Sequence, residues 1–381
     1  MLPLSDVTAL VDGWYDPAWA APWDAVGLVC GDPAQQVAKV LLAVDPDPAV
    51  VAEALAWGAD LIVCHHPLLL GAVHGVAATT PKGRVVHGLV RAGVALLTAH
   101  TNADVPVDGV NEALARAVGI LDPQVLLGEG DDEDLEKLVT FVPHAHADAV
   151  RRAVTDAGAG AIGDYDSCTF TVQGEGRFRP IRDARPLLGR LGEVEVVPES
   201  RVESVFPRRL RRRVLTALLA AHPYEEVAYD VLQLASPLEA PARTRGHGRI
   251  GRLEAPTTLR EFAEQVRTSL PATEHGIRVS GDPDRPVRTV AVGSGAGDFL
   301  LETVLATDAD VYVTSDLRHH RAGEFRDHDG AALVDVAHWA AEWTWLPVLE
   351  RKLQHAFGAR GATVETRVSA VVTDPWTFRV D

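Results

Sequence analysis

The hydrophobic positions in the first third of the chain fall into short runs separated by helix-length segments. Residues 40–44 and 61–64 are almost wholly apolar, and residues 48–57 between them have the length of a helix. A second helix is predicted over residues 83–92, followed by a strand at 94–97. Continuous apolar strands that alternate with helices are typical of a parallel sheet covered on both faces. The pattern therefore predicts an α/β domain.

The pattern changes after the acidic segment 128–134, which predicts a domain boundary. A strand-helix-strand unit then occurs twice, which is the order of a ferredoxin-like α+β domain. Its predicted strands are 138–142, 168–172, 178–181, 194–197 and 227–234, and its predicted helices are 146–157 and 202–221. Residues 236–245, which include two prolines, are predicted to be a linker.

The last third of the chain repeats the pattern of the first. A strand, a helix and a strand are predicted at 287–292, 298–306 and 309–316. Residues 309–316, set beside residues 59–66, form a weak internal repeat in which His66 and Asp316 occupy equivalent strand ends. The first and last thirds are therefore predicted to be similar α/β halves.

The chain is thus predicted to contain one discontinuous domain and one inserted domain. Residues 1–130 and 245–381 are the two α/β halves of the first, and residues 135–236 form the ferredoxin-like insert. With 381 residues and 47% hydrophobic content, the chain is long enough to bury a core in each.

The charge balance and the cysteines limit the class of protein. The 36 basic and 53 acidic residues give a formal charge of −17, which disfavours binding to nucleic acid or to an anionic membrane. Cys30, Cys64 and Cys168 show neither CxxC spacing nor a disulfide framework, which favours a reducing compartment. The sequence shows no signal peptide and no apolar run of membrane-spanning length. We therefore expect a cytoplasmic protein.

Imidazole and carboxylate side chains follow two of the predicted strands. His65 and His66 come directly after the apolar run 61–64, and His100 and Asp104 lie in a predicted loop after the strand 94–97. Ligands bind beyond the carboxyl ends of the strands in such sheets. Adjacent strand residues point to opposite faces, so packing alone does not explain both His65 and His66.

A third pair lies on a predicted helix. His338 and Glu342 are four residues apart and share one face of a helical turn, although a surface helix pair would have the same spacing. Imidazole and carboxylate ligands together suit zinc, iron or manganese. The predicted ligands are His65, His66, Asp104, His338 and Glu342.

Several neighbouring residues leave alternatives open. His100 either binds metal directly or holds Asp104 through a hydrogen bond. Asp316, His319 and His320 follow another strand, but a solvated loop explains them equally well, so they stay outside the predicted ligand set.

Two further motifs have a structural explanation. Gly293–Gly297 follows a strand and would offer amides to a phosphate, but it is neither a Walker loop nor GxGxxG, so tight packing at a turn is favoured. Ser294 is not in a GxSxG motif because Val292 occupies the first glycine position, which disfavours a serine hydrolase. The arginines in residues 208–213 are predicted to form a solvated helix face, with a patch for nucleotide phosphate or nucleic acid as the alternative.

These residues together resemble the Nif-three-like dinuclear metal-centre family, whose bacterial members are often labelled GTP cyclohydrolase I type 2 homologues. The resemblance covers essentially the whole chain through residues 26–28, 31–32, 65–67, 100–104, 109, 111, 248–251, 293–297, 314–320, 335–342 and 373–375. Residues 141–143, 158–166 and 222–230 are similar to the insert of longer members, a domain of the PII and CutA type. Ala25, Ser315 and His319 depart from the family pattern, and none of them is a predicted ligand.

The resemblance implies a cofactor, an assembly and an activity. The five predicted ligands would hold two divalent ions, with Asp104 as the bridge, and the chain would form a toroidal homohexamer. The ions would activate a water that attacks C8 of a guanine nucleotide, opens the imidazole ring and releases formate. Glu342 or His320 would move the protons. The alternatives are a hexameric metal-binding scaffold or regulator with the insert as sensor, and a phosphoesterase that uses the same ions.

Overall fold

The computed structural model describes residues 1–128, 135–163, 165–234, 245–328 and 330–380, without the side chain of Arg209. The chain divides into two compact units, residues 1–129 with 242–381 and residues 130–241. Most of the predicted boundary at 128–134 and of the predicted linker at 236–245 lies outside the described residues.

The first segment of the larger unit alternates strands and helices. Its elements are β1 (Leu2–Pro3), α1 (Leu4–Trp14), a 3-10 turn (Pro17–Trp19), β2 (Gly27–Cys30), β3 (Gln36–Val37), β4 (Lys39–Ala43), α2 (Pro48–Trp57), β5 (Leu61–Cys64), α3 (Pro81–Ala92), β6 (Ala95–Thr98), α4 (Thr101–Asp104), α5 (Val110–Ala117) and β7 (Leu121–Gly128). The predicted strands and helices from β4 to β6 are confirmed, with ends that shift by two residues at most.

The segment from His100 to Asp104 was predicted to be a loop, and this prediction is wrong. Asn102 Oδ1 accepts a hydrogen bond from the His100 amide at 2.9 Å, and the Ala103 amide donates to the His100 carbonyl at 2.8 Å. These local bonds close the single helical turn of α4.

The described part of the smaller unit contains one antiparallel sheet and two helices. Its elements are β8 (Leu135–Pro143), a 3-10 turn (His144–His146), α6 (Ala147–Asp156), β9 (Thr169–Phe178), β10 (Glu195–Pro207), a 3-10 turn (Arg208–Leu210), α7 (Arg211–Ala221) and β11 (Tyr229–Gln233). The strand order is β11-β8-β10-β9. Val150, Val154, Val214 and Leu218 of the two helices pack in one buried cluster with side chains from β8 and β10.

Two predictions in this unit are wrong. Residues 169–178 form one strand rather than two strands around a turn, and β10 continues through residues predicted to be helical. Pro198 led to the second error, because a proline usually ends a strand. It is tolerated here because β10 pairs only with β9 at that residue, and the pairing with β8 starts at Glu199.

The third segment completes the larger unit. Its elements are β12 (Gly246–Thr258), α8 (Leu259–Ser269), β13 (Arg278–Ser280), β14 (Pro286–Ala296), a 3-10 turn (Asp298–Leu300), α9 (Leu301–Leu305), β15 (Val311–Ser315), α10 (His319–Asp327), β16 (Ala332–Val336), α11 (His338–Trp343), α12 (Leu346–Ala359) and β17 (Glu365–Val368). Within the described residues, no helix combines the length and the apolar character needed to cross a bilayer.

The larger unit has two main sheets, with strand orders β17-β4-β5-β6-β2 and β13-β16-β15-β14-β12-β7. The strands β4 to β6 run parallel to one another, as do β14 to β16. Both faces of the first sheet are buried, since Val63 belongs to one apolar cluster and Ile62 to another. This two-sided burial explains the continuous apolar runs in the sequence.

The sheets of the larger unit place polar residues at the carboxyl ends of their parallel strands. His65 follows β5, Asp316 follows β15, and α11 begins with His338 two residues after β16. These strand ends provide the candidate site.

Candidate metal centre

The end of β5 supplies two histidines to one cluster. His65 is fully buried, and its Nδ1 donates to the Ala99 carbonyl at 2.9 Å. The His66 ring lies 5.2 Å from the His65 ring, so both point to the same place. The expected alternation of faces does not apply because the strand ends at Cys64.

Glu342 lies at the centre of this cluster. Its side chain is only 4% exposed, and its Oε1 is 2.9 Å from His338 Nε2, one turn earlier on α11. Its Oε2 is 2.9 Å from His66 Nε2, and His65 Nε2 lies 3.5 Å from Oε1. Asp104 Oδ1 lies 3.6 Å from the same His65 nitrogen. The structure therefore brings the five predicted ligands together.

His100 belongs to the same cluster. Its ring lies 5.1 Å from that of His65 and 5.4 Å from that of His66. Imidazole nitrogens of these three residues lie within 4.8 Å of one another, as do ligand atoms of His66, His338 and Glu342. The two groups of potential ligand atoms thus share His66.

The four clustered histidines are oriented in the same way. Each Nδ1 donates to an oxygen outside the cluster, as imidazoles that bind metal through Nε2 usually do. The acceptors are the Ala99 carbonyl for His65, and the carboxylates of Asp45 for His66 (2.7 Å), Asp24 for His100 (2.8 Å) and Asp316 for His338 (2.6 Å). In His65, His66 and His338, Nε2 is the nitrogen that faces the carboxylates of the cluster.

The charges of the cluster shift the pKa values of its members. The charge of Glu342, opposed by burial, raises the pKa of His338 to about 11. Burial lowers the pKa of His66, but the charges of Glu342 and Asp45 outweigh it and raise the value to about 10. Burial would raise the pKa of Glu342, yet the surrounding imidazoles hold it well below its ordinary value.

Burial is the dominant effect on the pKa values of His65 and Asp104. It lowers the pKa of His65 and raises that of Asp104. Without an ion, therefore, the cluster balances the Glu342 carboxylate mainly with protons on His66 and His338.

Two buried polar atoms in the cluster are suitable ligand atoms for a metal ion. Among the described residues, His65 Nε2 and Glu342 Oε2 are buried side-chain atoms without a hydrogen-bond partner. Glu342 Oε2 lies 2.9 Å from His66 Nε2, so it faces another ligand-type atom. Buried polar atoms without partners are costly, and a divalent ion would satisfy them.

The segment Gly293–Gly297 packs against the cluster. A Cβ at Gly295 would lie 2.8 Å from Glu342 Oε1 and 3.3 Å from His338 Nε2, and Gly295 has a φ of +67°. Only glycine meets both conditions without strain. The tight packing agrees with the prediction, but Gly293 to Ala296 belong to β14 and do not form the predicted turn after it.

Asn111 joins two parts of the site. It is buried, its Nδ2 donates to the Asp104 carbonyl at 3.0 Å, and its Oδ1 accepts from the Ser294 amide at 2.8 Å. Asn111 therefore ties the turn that carries Asp104 to the segment that carries Gly295.

Replacing Asn111 with alanine is expected to lower the free energy of unfolding by about 2 kcal/mol, because the Ser294 amide and the Asp104 carbonyl lose buried partners. Urea unfolding of the metal-free protein measures this value. Gln124→Ala is the control, since its exposed side chain donates to the Asp122 carbonyl, and a change within about 0.5 kcal/mol is expected. Equal stability of the two variants would contradict the bridging role of Asn111.

Arg249 supports the same turn from β12. It is 1% exposed and donates to the carbonyls of Val105 (3.0 Å) and Pro106 (2.7 Å), directly after Asp104. The same guanidinium donates to the carbonyls of Gly246 and Gly248 at 2.8 Å. It thereby fixes the turn of Asp104 against the third segment of the chain.

His320 is not in the cluster. It is exposed on α10, and its ring contacts that of His319 at 5.2 Å. Asp316 is not one of the predicted ligands. Its carboxylate accepts a hydrogen bond from His338 Nδ1.

Sequence reasoning missed Asp24 and Asp45. Asp45 lies just beyond the end of β4, as His65 lies just beyond the end of β5. Ligands bind beyond the carboxyl ends of such strands, so the rule that predicted His65 also applies to Asp45. Asp24 lies in a segment rich in Pro and Trp that carries no such signal.

Comparison with known proteins gives consistent matches over the whole chain. Residues 2–375 match the family described as Duf34/NIF3 (NGG1p interacting factor 3). The chain is 49% identical over 373 residues to a Mycobacterium tuberculosis protein named GTP cyclohydrolase 1 type 2 homolog, covering 98% of this chain and 96% of that protein. A Bacillus subtilis protein of the same name is 36% identical over 376 residues, covering 98% and 97%.

A solved structure is also similar. The crystal structure of a Bacillus cereus protein related to NIF3 superposes with a TM-score of 0.67 at 36% sequence identity, and the match covers 99% of each chain.

Proposed function

Since this chain belongs to the Duf34/NIF3 family, we propose that its histidine and carboxylate cluster holds two divalent metal ions. The observation that carries the proposal is the pair of buried atoms, His65 Nε2 and Glu342 Oε2, that have no hydrogen-bond partner and face other ligand-type atoms. The mixed imidazole and carboxylate set favours zinc, iron or manganese.

The arrangement supports a role for each proposed ligand. Glu342 directs one oxygen to His338 and the other to His66, so its carboxylate would hold metal together with both histidines. Asp104 would bridge the ions, as the resemblance implies. The proposed ligands are His65, His66, Asp104, His338 and Glu342, with His100 as a sixth because its Nδ1 is held in the same way as those of the other histidines.

We propose that the protein is a metal-dependent hydrolase. Bound divalent ions supply Lewis acidity and activate water near neutral pH. The side chains of His66, Asp104 and His338 are 23%, 21% and 29% exposed, so a small molecule can reach the cluster from solvent. Asp316 accepts from His338 Nδ1 at 2.6 Å and would hold that ring with Nε2 directed into the cluster.

The names of the relatives support a nucleotide as substrate. Both sequence relatives carry the name GTP cyclohydrolase 1 type 2 homolog. We propose hydrolytic opening of the guanine imidazole ring with release of formate. Glu342 is buried against three histidines, which favours a holding role for it over proton transfer.

The test combines elemental analysis with two product assays. Protein purified without added metal is expected to contain about two ions per chain and to release formate from GTP. His65→Ala combined with His338→Ala should lose both the metal and the turnover. Full metal content in this double variant would contradict the metal centre.

The same assay separates the alternatives. Phosphate without formate would identify a phosphoesterase. Normal metal content without either product would favour a scaffold or regulator whose insert binds an effector.

We further propose the domain arrangement predicted from the sequence. The order β11-β8-β10-β9, with α6 and α7 as connections, supports a ferredoxin-like insert. The parallel strands in each sheet of the larger unit support two similar halves.

We also propose that the chain assembles into a toroidal homohexamer. Self-association is supported by exposed apolar side chains near the chain end, with Trp376, Phe378 and Val380 exposed by 64%, 77% and 85%.

A further inference from the structure

An exposed tryptophan lies beside the cluster on a firmly held loop. Trp23 is 61% exposed, whereas the side chain of the next residue, Asp24, is fully buried. Asp24 accepts hydrogen bonds from His100 Nδ1 at 2.8 Å and from the Thr101 amide at 3.1 Å. On the other side of Trp23, the Ala21 amide donates to Thr101 Oγ1 at 2.9 Å. The loop is therefore anchored on both sides of Trp23, and yet the indole is exposed to solvent.

The indole contacts one of the clustered histidines. The rings of Trp23 and His100 lie 6.0 Å apart at 77°, an edge-to-face arrangement that uses at most one face of the indole. The His100 ring in turn lies 5.1 Å from that of His65. An aromatic face thus remains open at the rim of the cluster.

We infer that Trp23 is a stacking platform for a planar heteroaromatic ring of the substrate. This inference rests on the proposed function of the same site, because the stacked ring would direct its polar edge toward the ions. Bases stack on aromatic side chains through their π faces, and an indole offers the largest such face among the side chains.

The surroundings of Trp23 favour a small polar molecule over a protein partner. The accessible groups of the neighbouring cluster are the imidazoles of His66 and His338 and the carboxylate of Asp104. The core of a protein interface is usually depleted of charged groups, whereas a heterocycle with polar edge atoms satisfies them.

The test measures two ligands that differ by the base. Guanosine 5′-monophosphate and ribose 5-phosphate are titrated into the metal-loaded protein by calorimetry. Trp23→Ala is expected to weaken binding of the nucleotide by about tenfold and to leave binding of ribose 5-phosphate unchanged. Trp23→Phe should retain most of the affinity, because a phenyl ring still stacks.

The matched control is Phe299→Ala. Phe299 is 54% exposed and contacts His247 edge-on at 5.3 Å, and His247 is in neither group of potential ligands. This variant should bind both probes as the unaltered protein does.

Three results would overturn the stacking role. The first is that the unaltered protein binds the two probes with equal affinity. The second is that Trp23→Ala loses the same affinity for both probes. The third is that Trp23→Ala has a changed assembly mass by light scattering, because Trp23 would then be an interface residue. Metal content is measured separately on every sample. A protein without metal would contradict the proposed metal centre, whereas a normal metal content with any of the three results contradicts only the role of Trp23.

Discussion

Replacing Glu342 with glutamine is expected to remove most of the bound metal while leaving the fold intact. Glutamine has the same shape, but its amide is neutral and its NH2 group cannot bind a cation. The lost oxygen is one of two that face the histidines, with Oε1 near His338 and Oε2 near His66. Elemental analysis of protein purified without added metal measures the ions per chain, and circular dichroism checks the fold.

Glu324→Gln is the matched control for this change. Glu324 is an exposed residue of α10, so its replacement should leave the metal content as it is in the unaltered protein. A folded Glu342→Gln variant that keeps its full complement of metal would show that Glu342 is not a ligand.

The local parts of the site were predictable because they depend on short-range periodicity. A four-residue apolar run predicted β5, and all four of its residues are buried. The spacing of His338 and Glu342 predicted one helix face, and their ligand atoms lie 2.9 Å apart on α11. Both inferences need only the geometry of one strand or one turn.

The contacts that hold the ligands were not predictable in this way. Asp24 is 76 residues from His100, and Asn111 is 183 residues from Ser294. Each pair depends on how separate elements pack, and no periodicity in either segment encodes it. Resemblance marked Asn111 as part of a motif, but only the structure shows which two groups it joins.

The errors in the smaller unit have a related cause. Residues 202–207 form a strand because β10 pairs with β8 as far as Pro207 and with β9 as far as Ser204. Its alternation of buried and less buried residues shows in the structure, with Val202, Ser204 and Phe206 buried. The polarity of residues 202–207 does not alternate strictly, so the sequence predicts a start for the arginine-rich helix that is too far upstream.

Metal affinity is expected to rise steeply with pH between 6 and 8. The pKa of His66 is raised to about 10 and that of His338 to about 11 in the metal-free protein, so both imidazoles are protonated at neutral pH. An ion that binds through Nε2 must displace these protons. The affinity should therefore increase by about tenfold per pH unit for each proton released, or about a hundredfold where both are displaced.

Competition with a chelator at pH 6, 7 and 8 measures this slope, and calorimetry in two buffers of different ionisation enthalpy counts the protons. His87→Ala is the control, because His87 is exposed on α3 and its loss should leave the slope unchanged. The sign of the effect is decisive. The protons on His66 and His338 must leave before Nε2 can bind an ion, so an affinity independent of pH would mean that these two residues do not bind the metal.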